Sequence, residues 1–401
     1  MKNLFETGRV LYISPIDVSI GNGPGVNERE FILALYEVIG DRAHFLIPQP
    51  EEKIVDLPAG VCTFCEPHKR NPLKFWGHVT SQIKQANRLL SRGDFDLVIF
   101  RLSILPFSPL WITRKHRLPY VIKTLGVGPL NVLDEKGGWV GSVINKINRR
   151  MFSYLVKNAL VADSDSILHV EALQRMLGSN SDSIVWIDNA VNIKRFSPAS
   201  IVDSRKELGL TQFDPIIGYI GSRPWERGGM QLIEVAPRLL SKYPNLGMVI
   251  IGEGKELEDM KKRAYELQVA DRVRLDGYVP FDRVPIYINS LDVGVSISLR
   301  EDRRVNSELK VRQYLACGKP IVISPGSNEF VVEENLGSIV QPTDIEDLAV
   351  KLDYWLSLSS DDREEFSQRT VGYVRAYLSM QASIGKRIDL WSARLQAVKA
   401  R

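Results

Sequence analysis

The 401-residue sequence contains only three cysteines, five histidines and no long run of uncharged apolar residues. A helix that crosses a bilayer needs about 20 consecutive, mostly apolar residues, so no transmembrane segment is predicted. The first ten residues also lack the apolar stretch of a secretion signal. We therefore expect a soluble, intracellular protein that is at most peripheral to a membrane, and the few cysteines fit a reducing compartment.

An excess of charge of one sign is also missing, because 52 Lys and Arg residues stand against 48 Asp and Glu residues. The formal net charge of +4 gives no electrostatic reason to expect nucleic acid as a partner. With 44% hydrophobic and 25% charged residues, the composition is that of a globular chain. The length predicts two or three domains.

Potential metal ligands are scarce. Cys62 and Cys65 lie close to His68, and zinc or redox sites use this kind of spacing. No second pair completes a set of four ligands, and no helical pattern follows the cysteines as a redox motif requires. We therefore predict no metal here and place the two cysteines at the end of a strand.

Apolar runs of strand length alternate with helical patterns in both halves of the chain, which predicts two doubly wound parallel sheets. The predicted strands span residues 10–14, 44–47, 97–100, 120–123, 160–162, 184–187, 216–220, 247–251, 272–275, 293–297, 321–323 and 338–341. The predicted helices span residues 31–39, 80–90, 140–155, 165–177, 229–240, 255–267, 309–315 and 345–356. The turn-rich segment DNAVNIKRFSP suits a linker. We divide the chain into domains 1–191 and 192–375 and a C-terminal helix, 376–401, that packs back on the body.

Glycines interrupt the second half of the chain where predicted strands end. The segment GYIGSRPWERGG places Arg223 and Arg227 after one strand, and Gly252 and Gly254 follow the next. The carboxyl ends of parallel strands meet at one edge of a sheet, and guanidinium groups at the start of a helix suit a diphosphate. A pair of surface arginines without a ligand is the competing interpretation.

Two further loops have the features of anion sites. Ser307 and Glu308 stand at the N-cap position of a short helix, whose first N–H groups would face an anionic ligand. In the first half, Gly21, Gly23 and Gly25 precede the first helix and would let a ligand approach the backbone closely. A solvated connection or a flexible turn is the alternative at each place.

Five segments resemble motifs of the family 4 glycosyltransferases, a large retaining family that uses nucleotide sugars and has the GT-B fold. They are DNAVNIKRFSP, GSRPWERGG, VIIGEG, VRLDGYVP and SELKVRQYLACGKPIV. The resemblance covers the second domain almost end to end, whereas the first domain matches only at GNGPGVNE and ADSDS. It implies two Rossmann-like domains that face each other across a cleft.

The resemblance also implies which residues bind the donor. Arg227 matches the family's basic diphosphate clamp with Arg223 beside it, and Tyr278 and Val279 match the segment that meets the base. Gly23 would approach the phosphates from the first domain. The predicted donor-binding residues are Gly23, Arg223, Arg227, Gly252, Gly254, Tyr278, Val279, Ser307, Glu308, Leu309 and Gln313. The resemblance implies no metal and no cofactor other than the nucleotide sugar itself.

The sequence departs from the family pattern at its two glutamate positions, which hold Val305 and Gln313. The nearest carboxylates are Glu301 and Asp302, so we predict that these two are catalytic and support the sugar or its developing positive charge. The departures favour a second hypothesis, a non-catalytic nucleotide-binding or glycan-binding protein that acts through a partner. A GT-B epimerase or phosphorylase is the third, but no fitting lysine or histidine arrangement is visible.

The predicted function is transfer of a hexose-type unit from a nucleotide diphosphate sugar to a saccharide or a lipid-linked saccharide, with retention. A membrane surface is a further predicted contact. The helix at 140–155 places an apolar stripe beside Lys146, Arg149 and Arg150, and residues 68–76 form a second basic and aromatic cluster. Such a stripe is typical of a helix that lies on a membrane, but also of one that packs into a domain core.

Overall fold

The computed structural model describes residues 8–21, 23–51, 56–67, 71–93, 95–124, 138–178, 182–254, 256–299, 308–326 and 328–399. The chain divides into two compact units. Unit 1 consists of Met1–Asp188 and Met380–Arg401, and unit 2 consists of Asn189–Ser379. These divisions fall a few residues from the predicted ones, and the C-terminal helix belongs to unit 1.

Unit 1 is built on one sheet. Its strands are β1 (Val10–Ile13), β2 (Ala43–Pro48), β3 (Cys62–Cys65), β4 (Leu97–Arg101), β5 (Tyr120–Thr124), β6 (Ala162–Ser164) and β7 (Ile184–Trp186). Its helices are α1 (Gly23–Ile39), α2 (Pro72–Leu90), α3 (Phe107–His116), α4 (Gly138–Asn158), α5 (Ile167–Leu177) and α14 (Met380–Lys399). The strand order is β3-β2-β1-β4-β5-β6-β7, and every pairing is parallel.

Unit 2 repeats this plan with a smaller sheet. Its strands are β8 (Ile216–Ile220), β9 (Gly247–Ile251), β10 (Val273–Gly277), β11 (Val293–Ser296), β12 (Ile321–Ile323) and β13 (Gly337–Ile339). Its helices are α6 (Ile201–Leu208), α7 (Gly229–Leu240), α8 (Leu257–Glu266), α9 (Val284–Ser290), α10 (Leu309–Ala316), α11 (Phe330–Glu333), α12 (Ile345–Leu356) and α13 (Ser360–Tyr373). A π-helical turn at Val374–Leu378 follows α13. The order is β10-β9-β8-β11-β12-β13, again fully parallel.

The central strands of both sheets are buried along their whole length. Residues of β1, β4, β8 and β9 are all buried, as expected for a parallel sheet with helices on both faces. Their sequences are accordingly continuous apolar runs rather than alternating ones. This architecture confirms the predicted fold class of two Rossmann-like, doubly wound parallel-sheet domains.

Several predicted element bounds were wrong. The strand predicted at 160–162 lies at Ala162–Ser164, because the polar end ADS, not the apolar start, pairs with β5 and β7. Gly23 and Gly25 do not precede the first helix but lie inside its first turn. Five helices were missed: α3, α6, α9, α11 and α13. They are short or, as in α13, mostly polar, so they show little apolar periodicity.

The cysteine pair and the apolar stripe have definite places. Cys62 and Cys65 are the two ends of the edge strand β3, and His68 lies outside the described residues.

The apolar stripe on α4 is buried only in part. Met151 and Leu155 lie in the core, whereas Val140, Val143 and Ile147 nearer the N-terminus are exposed. In the part of the chain that the structure describes, no helix combines the length and apolarity needed to cross a bilayer.

Candidate functional site

Backbone hydrogen bonds tie together the loops that follow β8, β9 and β10. The Arg223 N–H donates to the Glu253 carbonyl at 3.2 Å, which joins the first two loops. The Gly252 N–H donates to the Gly277 carbonyl at 2.8 Å, which joins the second loop to the end of β10. The carboxyl ends of three adjacent strands therefore form one continuous edge.

The loop after β11 joins the same edge from the other side. The Ile297 N–H donates to the Arg227 carbonyl at 3.0 Å, and the Leu299 N–H donates to the Glu226 carbonyl at 2.9 Å. Strands β8 and β11 are neighbours here, and the strand order of the sheet reverses between them, because the chain returns from β10 to the other side of β8. In doubly wound sheets this reversal is where ligands bind.

Two glycines allow the loops to approach each other this closely. Gly252 has a φ of +147°, and a Cβ atom there would lie 1.9 Å from the Gly221 carbonyl oxygen. Gly228 has a φ of +119°, and its Cβ would lie 2.9 Å from a methyl carbon of Val295. Any side chain would force the loops apart, so glycine is required at both positions for close packing.

Arg227 and Glu308 form the central ion pair of this edge. Arg227 Nη1 lies 2.9 Å from Glu308 Oε1, and the other carboxylate oxygen of Glu308 accepts a hydrogen bond from the Ser296 hydroxyl. The Nε of Arg227 is buried and has no hydrogen-bond partner among the described residues. The guanidinium therefore keeps a donor that an anionic ligand could use.

A partly buried lysine lies beside this pair. Lys310 Nζ donates to the Tyr219 hydroxyl at 2.9 Å and lies 4.3 Å from the centre of the same ring. Burial lowers the pKa of Lys310 to about 8, although the nearby Glu308 opposes this change. The Tyr219 hydroxyl in turn donates to the Ser222 carbonyl at 2.7 Å. Through the Tyr219 hydroxyl, Lys310 thus helps to hold the Gly221–Ser222 turn in position.

Helix α10 is fixed against the sheet by two further side chains. The Ile220 N–H at the end of β8 donates to the Tyr314 hydroxyl at 2.7 Å. The Tyr314 ring fills the space above Gly294, where a Cβ would lie 2.8 Å from it. Arg312 is fully buried and donates to the carbonyl of Glu308 at 3.1 Å. The first turn of α10 is consequently held in position before any ligand arrives.

The remaining predicted residues of unit 2 lie around this edge. Arg223 has a φ of +58° and pairs with Glu226 at 3.6 Å, with its side chain half exposed. Tyr278 is exposed immediately after β10, and Val279 packs against the core. Gly254 lies in the loop after β9, and Gln313 is nearly buried one turn along α10 from Leu309, with which that helix begins.

Glu308 occupies the N-cap position of α10, but its side chain makes no capping hydrogen bond. Its carboxylate faces Arg227 instead, which the sequence analysis did not predict. Glu301, Asp302 and Ser307 lie outside the described residues, and so does Val305. Gly23 belongs to unit 1, at the first position of α1.

Potential metal ligands do not converge in the part of the chain that the structure describes. No group of three or more His, Cys, Asp or Glu side chains is placed there to hold an ion. Positive charge at the strand ends of unit 2 comes instead from Arg223, Arg227 and Lys310. The arrangement can bind an anionic group through guanidinium donors and the N-terminal N–H groups of α10.

Unit 1 has its own charged network at the strand ends of its sheet. The Tyr12 hydroxyl donates to Glu28 at 2.5 Å, and Lys123 Nζ and Arg101 Nε lie 3.7 and 3.8 Å from the other oxygen of Glu28. Burial raises the pKa of Glu28, but Lys123 and Arg101, with hydrogen bonds from Ser14 and Tyr12, hold it below its ordinary value. Because the carboxylate stays ionised, it links α1 to β4 and β5.

A second buried ion pair attaches the C-terminal helix to unit 1. Arg387 on α14 contacts Asp163 on β6 at 3.1 Å, and both side chains are buried. The sequence analysis expected a helix packing back on the body, and this pair shows which element of unit 1 it contacts.

Sequence reasoning missed Lys310, Tyr219 and Arg312 as parts of the site. Two signals were available. Lys310 is the first of two lysines in the segment SELKVRQYLACGKPIV, in which the sequence analysis considered only Gln313 and the helix start. Tyr219 interrupts an otherwise aliphatic buried strand, and a buried tyrosine hydroxyl must find a hydrogen-bond partner.

Residues 201–371 match the family model described as glycosyl transferases group 1. This match covers most of unit 2, including Arg227, Glu308 and Lys310. The similarity to this family therefore concerns unit 2.

Two curated relatives have similar sequences. The 2-deoxystreptamine glucosyltransferase of Streptomyces kanamyceticus is 27% identical over 129 residues, which are 31% of this chain and 33% of the relative. A GDP-mannose-dependent α-(1-6)-phosphatidylinositol monomannoside mannosyltransferase of Mycolicibacterium smegmatis is 27% identical over 173 residues, 41% of this chain and 45% of the relative. The chain spans less than half the length of these relatives.

The solved structure of Anabaena HepE in complex with UDP and glucose has a similar fold throughout. It covers 96% of this chain and 100% of its own, with a TM-score of 0.67 and 14% sequence identity. At this identity the similarity concerns the fold, and it confirms the predicted GT-B architecture.

Proposed function

We propose that the protein transfers a hexose-type sugar from a nucleotide diphosphate sugar to a hydroxyl of a saccharide or lipid-linked saccharide, with retention of configuration. The observation that carries the proposal is the placement of Arg227. Its guanidinium lies at the reversal point of the unit 2 sheet, beside the first turn of α10, with a buried Nε that has no partner among the described residues.

This placement suits the departure of a nucleoside diphosphate. When the glycosidic bond breaks, negative charge develops on the β-phosphate, and fixed donors that already point at this position stabilise it. Arg227 and Arg223 supply guanidinium donors, and the N–H groups at Glu308 and Leu309 supply backbone donors. The glycine turns at Gly252 and Gly254 allow the phosphates to approach the backbone.

The similar proteins support both halves of the proposed reaction. The relatives named above are a glucosyltransferase and a GDP-mannose-dependent mannosyltransferase, and the similar structure contains UDP and glucose. The nucleotides named for these proteins are UDP and GDP, so the proposal does not specify the base of the donor. Tyr278, exposed after β10, is proposed to contact it.

Metal-independent catalysis is part of the proposal. The countercharge would come from Arg223, Arg227 and α10, so no divalent ion is required for diphosphate departure. Glu301 or Asp302 is proposed to support the developing positive charge on the sugar, which is the task of a carboxylate in glycosyl chemistry.

A second candidate function rests on Gln313. This nearly buried amide stands where the resembled family has a glutamate, and an amide accepts hydrogen bonds without carrying charge. A nucleotide-binding or glycan-binding protein without transfer activity would bind the nucleotide but neither hydrolyse nor transfer the sugar.

We propose the cytoplasm as the location, with peripheral contact at the inner membrane surface. Nucleotide sugars are charged and water-soluble, whereas a lipid-linked acceptor would lie at the bilayer. An enzyme that joins the two would work at the boundary between them.

A nucleotide screen followed by turnover measurements tests the proposal. Thermal shifts with UDP, GDP, ADP and dTDP identify the base, and the matching sugar nucleotide is then assayed for sugar release and transfer. Arg227→Ala should weaken nucleotide affinity by roughly 30-fold to 150-fold, since a charge-assisted forked contact contributes about 2 to 3 kcal/mol.

Arg238→Ala is the matched control, because Arg238 forms an exposed ion pair with Glu346 on the outer helices. If Arg227→Ala binds nucleotide as tightly as this control in titration calorimetry, the diphosphate site is elsewhere. Nucleotide binding without any sugar release or transfer would favour the non-catalytic candidate.

A further inference from the structure

In the N-terminal half of α4, polar side chains face the core and apolar side chains face the surface, which is the reverse of an ordinary amphipathic helix. Its buried residues here are Gly141, Asn145 and Asn148, and its exposed residues include Val140 and Val143. The Asn148 side chain accepts a hydrogen bond from the Leu105 N–H at 2.8 Å, which explains why a polar residue faces inward. The apolar side of this half-helix is thereby directed to the surface.

The exposed apolar side chains form a stripe. Trp139 is 79% exposed, Val143 is 48% exposed and Ile147 is 43% exposed. At about 100° per residue, Val140, Val143 and Ile147 fall within one sector of the helix. An apolar stripe of this kind has no partner in the described part of unit 1.

Basic residues border the stripe along its length. Lys146, Arg149 and Arg150 are exposed and fall in the adjoining sector of α4. Together with Ser142 and Met176 of α5, they line a concavity of about 460 Å³. This volume is within the range of small-ligand sites, and its cations would bind a phosphate-bearing headgroup.

The neighbouring helices extend the same surface. Arg114 of α3 lies 4.6 Å from the ring centre of Tyr154 of α4, and Trp76 of α2 lies 5.0 Å from the ring of Phe107 of α3. These contacts place α2, α3 and α4 side by side. The large exposed apolar residues of α2 and α3 include Leu73 (83%), Trp76 (50%) and Trp111 (40%).

Acidic residues are absent from all three helices. The helices α2, α3 and α4 contain nine Lys and Arg residues but not one Asp or Glu. Asp and Glu make up 48 of the 401 residues of the chain, so helices of this total length would ordinarily contain several. A uniformly positive surface is complementary to an anionic bilayer, and exposed tryptophans favour the boundary between headgroups and acyl chains.

We propose that α2, α3 and α4 form the surface by which the protein binds an anionic phospholipid bilayer. Trp139 and the α4 stripe enter the boundary between headgroups and acyl chains, where indole rings are favoured. Lys146, Arg149 and Arg150 contact phosphate groups of anionic lipids in the concavity beside the stripe. Binding is reversible and weakens with salt, because it depends on charge attraction and a shallow apolar insertion.

Vesicle co-sedimentation tests this proposal without a donor or acceptor, so its outcome is independent of the transfer reaction. Vesicles of phosphatidylcholine alone are compared with vesicles that also contain phosphatidylglycerol, at low and moderate salt. We expect binding to the anionic vesicles only, and we expect moderate salt to reduce it. Equal or negligible binding to both kinds of vesicle overturns the proposal and reassigns the surface to a protein partner.

Two double variants separate charge from apolar insertion. Lys146→Gln with Arg150→Gln should weaken partitioning by roughly 5-fold for each cation removed. Val143→Ser with Ile147→Ser should also weaken partitioning while leaving its salt dependence in place. Thermal unfolding of each variant confirms that it is folded, which is expected because all four side chains are exposed.

The matched control is Val202→Ser with Lys206→Gln on α6 of unit 2. It removes the same kinds of exposed side chain from a helix that also contains acidic residues. Binding equal to that of the unsubstituted protein is expected for the control. If the control and the α4 variants lose binding to the same extent, the attraction is unspecific and α4 is not the docking element.

Discussion

Arg227 Nη1 and Glu308 Oε1 form an ion pair at 2.9 Å. The pair connects the loop after β8 to the residue that immediately precedes α10. Both side chains are mostly buried, so the pair is screened less by solvent than a surface pair. An anionic ligand that approaches Arg227 must share the guanidinium with this carboxylate. The pair therefore holds the arginine in position and at the same time reduces its attraction for phosphate.

The first prediction concerns this competition. Glu308→Gln removes a negative charge next to the proposed diphosphate site but keeps the size of the side chain. We expect nucleoside diphosphate affinity to increase by roughly 5-fold, equivalent to about 1 kcal/mol of removed repulsion. Titration calorimetry measures it, with Glu346→Gln, which faces Arg238 at the surface, as the control. Weaker binding by Glu308→Gln would show that the carboxylate orients Arg227 instead of competing with the ligand.

The second prediction concerns the partly buried Lys310. The folded protein releases its proton near pH 8, whereas the unfolded chain retains it up to about 10.5. Between these values the unfolded state binds more protons, so the free energy of unfolding contributed by this lysine rises with pH. Relative to Lys310→Met, the unsubstituted protein should gain about 1 to 2 kcal/mol between pH 8 and pH 9.5.

Urea denaturation at several pH values measures this difference. Comparing the two proteins at each pH cancels the contributions of Lys123 and Lys319, whose pKa values are also lowered to about 8 by burial. A difference in unfolding free energy that stays constant with pH would mean that Lys310 keeps its proton in the folded state.

The third prediction concerns glycine geometry. Gly252→Ala would place a Cβ 1.9 Å from a backbone carbonyl at a φ of +147°, so we expect a loss of about 3 kcal/mol or more in unfolding free energy. Gly254→Ala is the control, because its Cβ would meet only the movable end of the Glu256 side chain at 3.0 Å. It should cost less than about 1 kcal/mol. Thermal denaturation that ranks the two variants the other way would contradict the close approach of the loops.

The fourth prediction concerns metal dependence. Since Arg223, Arg227 and the N-terminus of α10 would neutralise the leaving diphosphate, excess chelator should leave turnover undiminished once donor and acceptor are known. Activity is measured before and after chelation and again with added magnesium or manganese. Loss of activity on chelation, restored by either ion, would assign part of the countercharge to a metal.

Much of the fold and part of the site could be predicted from the sequence. The strands of β8, β9 and β12 were predicted at their observed bounds, because buried parallel strands are short apolar runs enclosed by turn residues. The glycine-rich turns also predicted that Arg227 and Gly252 lie at one edge of the sheet. These features depend on neighbouring residues in the chain, so local patterns determine them.

Contacts between distant parts of the chain could not be predicted in this way. Lys310 and Tyr219 are 91 positions apart. Whether Lys310 is solvated or partly buried depends on which helix covers which strand end. The stripe on α4 has the same apolar spacing whether it faces the core or the surface. Its direction was decided by Asn148 and Met151, which pack against unit 1 and turn Val143 and Ile147 outward. The sequence alone thus determined the elements and their order, and only tertiary packing decided which polar groups are buried together and which apolar face stays exposed.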